Sequence, residues 1–115
     1  MIIKASQASV KKVGPMEIRE YGLGQMFSGA LVTINGEHGA VRCKNEDRIY
    51  LILSGKGVFT IAGEQQTVSP DDVVFVPKMT PYNIKGNFKY FLVCSPQFKA
   101  DDDEWIGANQ NSSRQ

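Results

Sequence analysis

Apolar and polar residues alternate along most of this chain, and the alternation is interrupted by glycine and proline. Residues 47–61 give the clearest instance, Asp-Arg-Ile-Tyr-Leu-Ile-Leu, then Ser54-Gly55-Lys56-Gly57, then Val-Phe-Thr-Ile. β-Branched and aromatic residues on either side of a glycine pair predict strand, tight turn, strand. Residues 16–21 alternate between apolar and charged, the pattern of a half-exposed strand. Further strands are predicted over 25–34, 38–44, 66–68, 73–77, 82–84 and 88–94, with 73–77 fully buried. Asn35-Gly36, Gly63-Glu64 and Pro70-Asp71-Asp72 read as turns, and 45–47 as a bend or bulge. Residues 1–5 suit a short edge strand, and 6–14 a loop or helical turn without a usable period.

Many short strands at close spacing, with no sustained helical period, predict an all-β sandwich or barrel. Near the end, Asp101 is placed to cap a short helical turn with acids in its first turn. Residues 107–115 are polar and predicted to be a disordered tail, leaving 1–106 as one domain.

Composition narrows the partners. The 115 residues suffice for one core, and a formal charge of +1 gives no reason to expect a nucleic-acid or membrane partner. No run approaches the ~20 apolar residues that span a bilayer, and the first residues lack a secretory layout, so a cytoplasmic location is expected. Cys43 and Cys94 are expected to be free thiols.

Residues 36–82 carry a family resemblance. The chain resembles a small single-domain cupin, whose first motif, G-x5-H-x-H-x3-E-x6-G, falls on Gly36, Arg42, Lys44, Arg48 and Gly55. The second, G-x5-P-x-G-x2-H-x3-N, falls on Asp71, Pro77, Met79, Tyr82 and Gly86. Spacing and turn residues match, whereas every metal-ligand position is changed: the histidines and glutamate are replaced by Arg42, Lys44 and Arg48, and the last histidine by Tyr82. One extra residue in the first gap would put Val41 and Cys43 under the two histidines; the register that keeps Gly36 is adopted. The resemblance implies a double-stranded β-helix, the cupin jelly roll, closed by a short C-terminal helical turn. It also implies a homodimer joined through sheet faces, with Ile49, Leu51 and Leu53 available to a second sheet or a partner.

The family's ligand glutamate points into the barrel, so Arg48 is expected to point in. Residues of one parity in a strand share a face, so Tyr50 and Ile52 go with it. The adopted register brings in Arg42, Lys44 and Tyr82 as well. A guanidinium cannot ligate a metal, so no metal and no cofactor are expected. Three cations then have three possible arrangements. They pair internally, Arg48 with Glu46, Asp47 or another acid; or they form a socket for a carboxylate or phosphate; or they splay outward. Tyr50 and Tyr82 read either as core phenols or as acids or donors to a bound carbonyl or sugar. His38, the only histidine, reads as an exposed loop residue and as a fallback proton-transfer group. Cys43 is expected to face away from the bowl, Cys94 to be core, and Met79 to narrow the entrance or lie on a surface loop.

Three functions follow. The first is a metal-independent cupin binding a small anionic or sugar-like ligand through Arg42, Lys44, Arg48, Tyr50 and Tyr82, with isomerase or epimerase chemistry on Tyr50, Tyr82 or His38. The second is a non-catalytic dimeric interaction or regulatory module. The third, a metal-dependent dioxygenase or isomerase, would need ligands from outside the motifs.

Overall fold

Two long antiparallel strands, hydrogen-bonded along almost their whole length, form the spine of the computed structural model. A 3-10 turn (Ala5–Gln7) precedes β1 (Ser9–Val13), β2 (Met16–Gly22), β3 (Ser28–Glu37), β4 (Val41–Cys43), β5 (Asp47–Ile61), β6 (Glu64–Val68), β7 (Val73–Val76) and β8 (Tyr82–Ser95). A second 3-10 turn (Ala100–Asp102) leads into β9 (Asp103–Trp105). The structure describes residues 1–106, and the polar tail expected at 107–115 lies outside them.

The spine is β5 with β8. On one side β8 carries β3, then β2 and β1, while its first residue pairs with β4, which carries β9. On the far side of β5 lie β7, against residues 48–51, and β6, against residues 57–61. All these pairings are antiparallel, and the sheet curls on itself as an all-β jelly roll. Its inner face holds the core: Ile34, Tyr50, Ile52, Phe59, Tyr82 and Ile84 are each at most 2% exposed. Among the described residues no helix is long and apolar enough to cross a membrane.

Several predicted boundaries change. Ser54-Gly-Lys-Gly57 is no hairpin: β5 runs straight through it with a register irregularity between Ile52 and Ser54. These glycines serve close approach. A Cβ on Gly57 would lie 2.3 Å from the Phe88 ring, and one on Gly55 2.6 Å from the Asn87 carbonyl. Asn35-Gly36 also stays inside a strand, with Gly36 opposite Gly86 and Gly86 opposite Gly57. Three strands thus carry glycine at one level, where side chains would block the bend. For the same reason 82–84 and 88–94 are one strand, β8.

The N-terminal reading is corrected as well. Residues 1–5 form no strand, and the edge strand is β1, within the segment read as a loop. Four of its five residues are exposed, so no buried face imposes an alternation. β7 is half-exposed rather than buried, with Val74 and Val76 inward and Val73 and Phe75 outward. The predicted helical turn is present, but Asp102 closes it rather than Asp101: its carboxylate accepts from the Lys99 N–H at 3.2 Å. Asp71 does take a positive φ, 75°, at the family's glycine position.

Candidate ligand cavity

Parity along β5 sets the floor of a cavity. Arg48, Tyr50 and Ile52 point inward, at 3%, 1% and 0% exposure, and Ile49, Leu51 and Leu53 point out. Val41↔Tyr82 pairing at the start of β8 swings the Tyr82 phenol over the same floor. The hollow has a volume of about 430 Å³. Its polar lining includes Arg48, Tyr50, Tyr82, Tyr90, Asp103 and His38. Apolar side chains of β2 and β3 line it as well, together with Ser9, Lys11 and Glu20 of the N-terminal hairpin.

Arg48, Tyr50, Tyr82 and Asp103 form one connected network with Glu46. Arg48 Nη1 donates to the Tyr82 oxygen at 2.6 Å, and the Tyr50 and Tyr82 oxygens are also 2.6 Å apart. Arg48 Nη2 donates to Asp103 Oδ1 at 2.6 Å and to Glu46 Oε1 at 3.1 Å, and Nε donates to Glu46 Oε1 at 3.3 Å. The Phe98 ring covers the guanidinium, its centroid 5.6 Å from Cζ. Burial disfavours the Arg48 charge, but the oxygens of Tyr82, Tyr50 and Asp103 more than offset it, and the guanidinium stays charged.

Burial shifts the remaining groups towards their neutral forms. Desolvation raises the Tyr82 phenol above its ordinary value, while Arg48 and the hydrogen bonds from Tyr50 and Arg48 pull it back. Tyr50 is raised well above, first by desolvation and then by Tyr82, so it stays protonated. Desolvation likewise raises Asp103 against the pull of Arg48. The Cys94 thiol, pushed up to about 12 by burial, is not a nucleophile at neutral pH.

An aromatic wall adjoins this network. The His38 ring stacks with Trp105 at 5.3 Å and with Tyr82 at 6.1 Å between centroids, with interplanar angles of 28° and 22°. His38 Nδ1 lies 2.8 Å from the Gly39 carbonyl oxygen. A carbonyl only accepts, so Nδ1 carries the proton and Nε2 is the basic nitrogen of the neutral ring.

The predicted site therefore divides. Arg48, Tyr50 and Tyr82 come together in the cavity. Arg42 and Lys44 do not: Arg42 bonds Glu104 on the outer side, with Nε to Oε1 at 2.8 Å, and Lys44 is exposed. Val41 and Cys43 point inward in their place, at 0% and 3% exposure, which is the alternative register. The expectation that Cys43 faces away from the bowl is corrected by the same parity. No socket of three cations exists; Arg48 is paired internally with Glu46 and Asp103. His38 is not an exposed loop residue but is 8% exposed and lines the cavity. Met79 is 51% exposed on a surface loop with φ of 67° and does not line the hollow. Cys43 and Cys94 are both buried free thiols.

Sequence reasoning missed Tyr90, Phe98, Asp103 and Trp105. Tyr90 shares parity with the inward Phe88, so period two would have found it. Asp103 and Trp105 sit on a three-residue strand after a turn, with no periodic signal. Among the described residues no three His, Cys, Asp or Glu side chains converge as a metal site would require.

Known proteins share this fold. Uncharacterized protein MJ1618 of Methanocaldococcus jannaschii is 28% identical over 87 residues, 72% of this chain and 70% of that protein. Among solved structures, Streptomyces Pac13, described as a nucleoside dehydratase, has a TM-score of 0.86 at 18% identity, covering 97% of this chain and 95% of that one. A variant of it with uridine has a TM-score of 0.87 at 18% identity, covering 98% and 95%. KdgF from Halomonas sp. has a TM-score of 0.77 at 15% identity, covering 88% and 96%. At such identities the shared property is the fold. The family model described as the Cupin domain matches residues 31–90, over half of the chain, and this protein belongs to the cupin family.

Proposed function

We propose that the cavity binds a small, neutral, hydroxylated ring compound, a sugar or nucleoside, and carries out proton transfer on it with side chains alone. The observation that carries this reading is the Tyr82 oxygen, 2.6 Å from both Arg48 Nη1 and the Tyr50 oxygen at the foot of an aromatic wall. When that oxygen accepts from both neighbours, its own O–H becomes a polarised donor for a ligand. The wall of His38, Trp105 and Tyr82 suits the flat face of a ring, and Asp103 accepts from hydroxyl groups. A strongly anionic ligand fits less well, because Arg48 is already neutralised by Glu46 and Asp103.

The chemistry such a site supports is elimination or isomerisation next to a carbonyl. His38 Nε2 removes the proton from the carbon beside the carbonyl, and the Tyr82 phenol passes its proton to the departing hydroxyl, which leaves as water. The resulting phenolate is stabilised by Arg48 and is reprotonated from the imidazolium through solvent or ligand. Pac13, described as a nucleoside dehydratase and sharing the fold, gives this reading a parallel and uridine its first probe.

The test is a thermal-shift and calorimetric screen of nucleosides and sugars, beginning with uridine. A ligand at 100 times its Kd stabilises the native state by about 2.7 kcal/mol. Tyr82→Phe is expected to weaken binding about tenfold or more, because it leaves Arg48 facing an unmatched ring edge. Absence of any nucleoside or sugar shift, or a shift that Tyr82→Phe leaves intact, would refute the reading.

A further inference from the structure

We infer that Tyr90 is a specificity-determining residue: its hydroxyl, held open to the cavity among apolar side chains, reads the polar edge of a flat ring and favours a nucleoside over a free sugar. This rests on the proposed function and narrows the ligand to one of the two classes named there.

Strand pairing fixes where the phenol stands. Tyr90 sits on β8 between Val32 of β3 and Ile52 of β5, all three inward and buried. Its ring meets Tyr50 nearly edge-on, with centroids 5.1 Å apart at 70°, and Phe88, the preceding inward residue of β8, at 5.4 Å and 48°. A ring clamped on these sides leaves its hydroxyl little freedom beyond rotation about the C–O bond.

The Tyr90 hydroxyl differs from its neighbours in what it bonds. Tyr50 and Tyr82 bond each other, and Arg48 bonds Tyr82, Glu46 and Asp103. None of these bonds reaches Tyr90. Among the described residues its oxygen has no hydrogen-bond partner, although the residue is 2% exposed and lines the cavity. Buried polar groups are almost always paired, and one left unpaired costs stability. The partner that this hydroxyl lacks within the chain is one that a ligand in the cavity supplies. Desolvation, then Tyr82, raise the phenol above its ordinary value against the pull of Arg48. The group therefore stays neutral and can both donate and accept.

What surrounds the hydroxyl selects the class of ligand. Val32, Ile52 and Phe88 beside it are apolar, as are Met16, Ile18 and Leu92 of the cavity lining. A nucleobase matches one hydroxyl in such a setting, because it is flat, apolar on both faces and polar at its edge. A free sugar carries hydroxyls around its whole rim and would leave several unpaired. The ribose of a nucleoside still finds Tyr82 and Asp103.

Tyr90→Phe is compared with the wild type and Tyr82→Phe, first by melting without ligand. Tyr90→Phe is expected to melt at or above the wild-type temperature, since it removes an unpaired hydroxyl. Tyr82→Phe, which breaks two buried hydrogen bonds, is expected to lose about 4 °C or more. Calorimetry with uridine and ribose follows. The wild type is expected to bind uridine more tightly, and Tyr90→Phe to raise the uridine Kd about tenfold while leaving the ribose Kd unmoved. A merely structural role would weaken both together. A Tyr90→Phe chain that fails to fold or melts as low as Tyr82→Phe would overturn the inference, as would ribose bound as tightly as uridine. So would a uridine Kd that Tyr90→Phe leaves unchanged, because solvent would then be the partner of the hydroxyl. Ribose too weak to titrate counts as the expected preference, and the uridine Kd decides. Uridine binding weakened by Tyr82→Phe but not by Tyr90→Phe sinks only the inference, as does a wild type that binds sugars but no nucleoside. A wild type that binds neither sinks the proposed function as well.

Discussion

Glu46 is the residue whose chemistry is most at odds with its place. It is fully buried, its Oε1 accepts from Arg48, and among the described residues no group within hydrogen-bond geometry reaches its Oε2, although Asp102 and Cys94 lie close by. Desolvation, then the neighbouring Asp102 carboxyl, push Glu46 up from 4.5 to about 7 against the pull of Arg48 and Cys94. Below the unfolded value both states hold the proton. Between that value and about 7 the folded state holds more protons, so stability falls as pH rises through this window. The loss approaches about 3 kcal/mol above pH 7. Asp103, also raised, works in the same direction from a lower starting point. Glu46→Gln keeps the oxygen that faces Arg48 and removes the titration. Its Tm is therefore expected to decline less between pH 5 and 8 than that of the wild type, and parallel profiles would show that Glu46 is not the group responsible. The inward direction of Arg48 followed from strand parity, but its compensation by Glu46 was only one of three arrangements open to the sequence. Asp103 could not be foreseen as the second partner, because contacts across 55 residues leave no local trace.

At the scale of the element, the glycines decide whether two strands can be one. Gly55-Lys-Gly57 is a strong turn signal on local grounds, and Asn35-Gly36 is stronger. Both lie inside strands because Gly36, Gly86 and Gly57 stack across β3, β8 and β5 where the sheet bends. Local sequence cannot tell a glycine kept for a turn from one kept for a neighbouring strand. A variant can. A Cβ on Gly86 would lie 2.8 Å from Gly57 Cα and 2.9 Å from the Lys56 carbonyl, at a φ of 148°. Gly86→Ala is expected to cost about 3 kcal/mol, combining backbone strain with overpacking. Gly63 has φ of 83° in open space, so Gly63→Ala pays only the left-handed strain, about 1 kcal/mol. Equal losses in urea melts would mean that conformation, not contact, sets the demand at Gly86. The alternation in β2 was legible because charged residues mark its outer face; β7 is apolar on both faces, β1 buries neither, and β9 is only three residues long.

At the scale of the molecule, the described residues leave one sheet face uncovered, and the outward parity of β5 made it foreseeable. Strand pairing sets Phe75, Ile49 and Val93 in one row and Val73, Leu51 and Phe91 in the next. Val73, Phe75, Ile49 and Leu51 are 64%, 55%, 46% and 39% exposed, and none of these six residues is charged. An uncharged apolar face of this kind suits a protein partner. We propose that a second copy of the chain covers it, because an identical face is the partner that matches it row for row under a two-fold axis. A standard interface takes about 800 Å² from each partner, roughly an eighth of the 6797 Å² the chain exposes. The cavity lies on the opposite side of β5, so dimerisation and ligand binding should separate. Light scattering is expected to give twice the chain mass for the wild type, and Leu51→Lys is expected to give a folded monomer that binds uridine as the wild type does. A wild-type monomer would remove the second copy from the picture. A Leu51→Lys dimer would move the contact to another face.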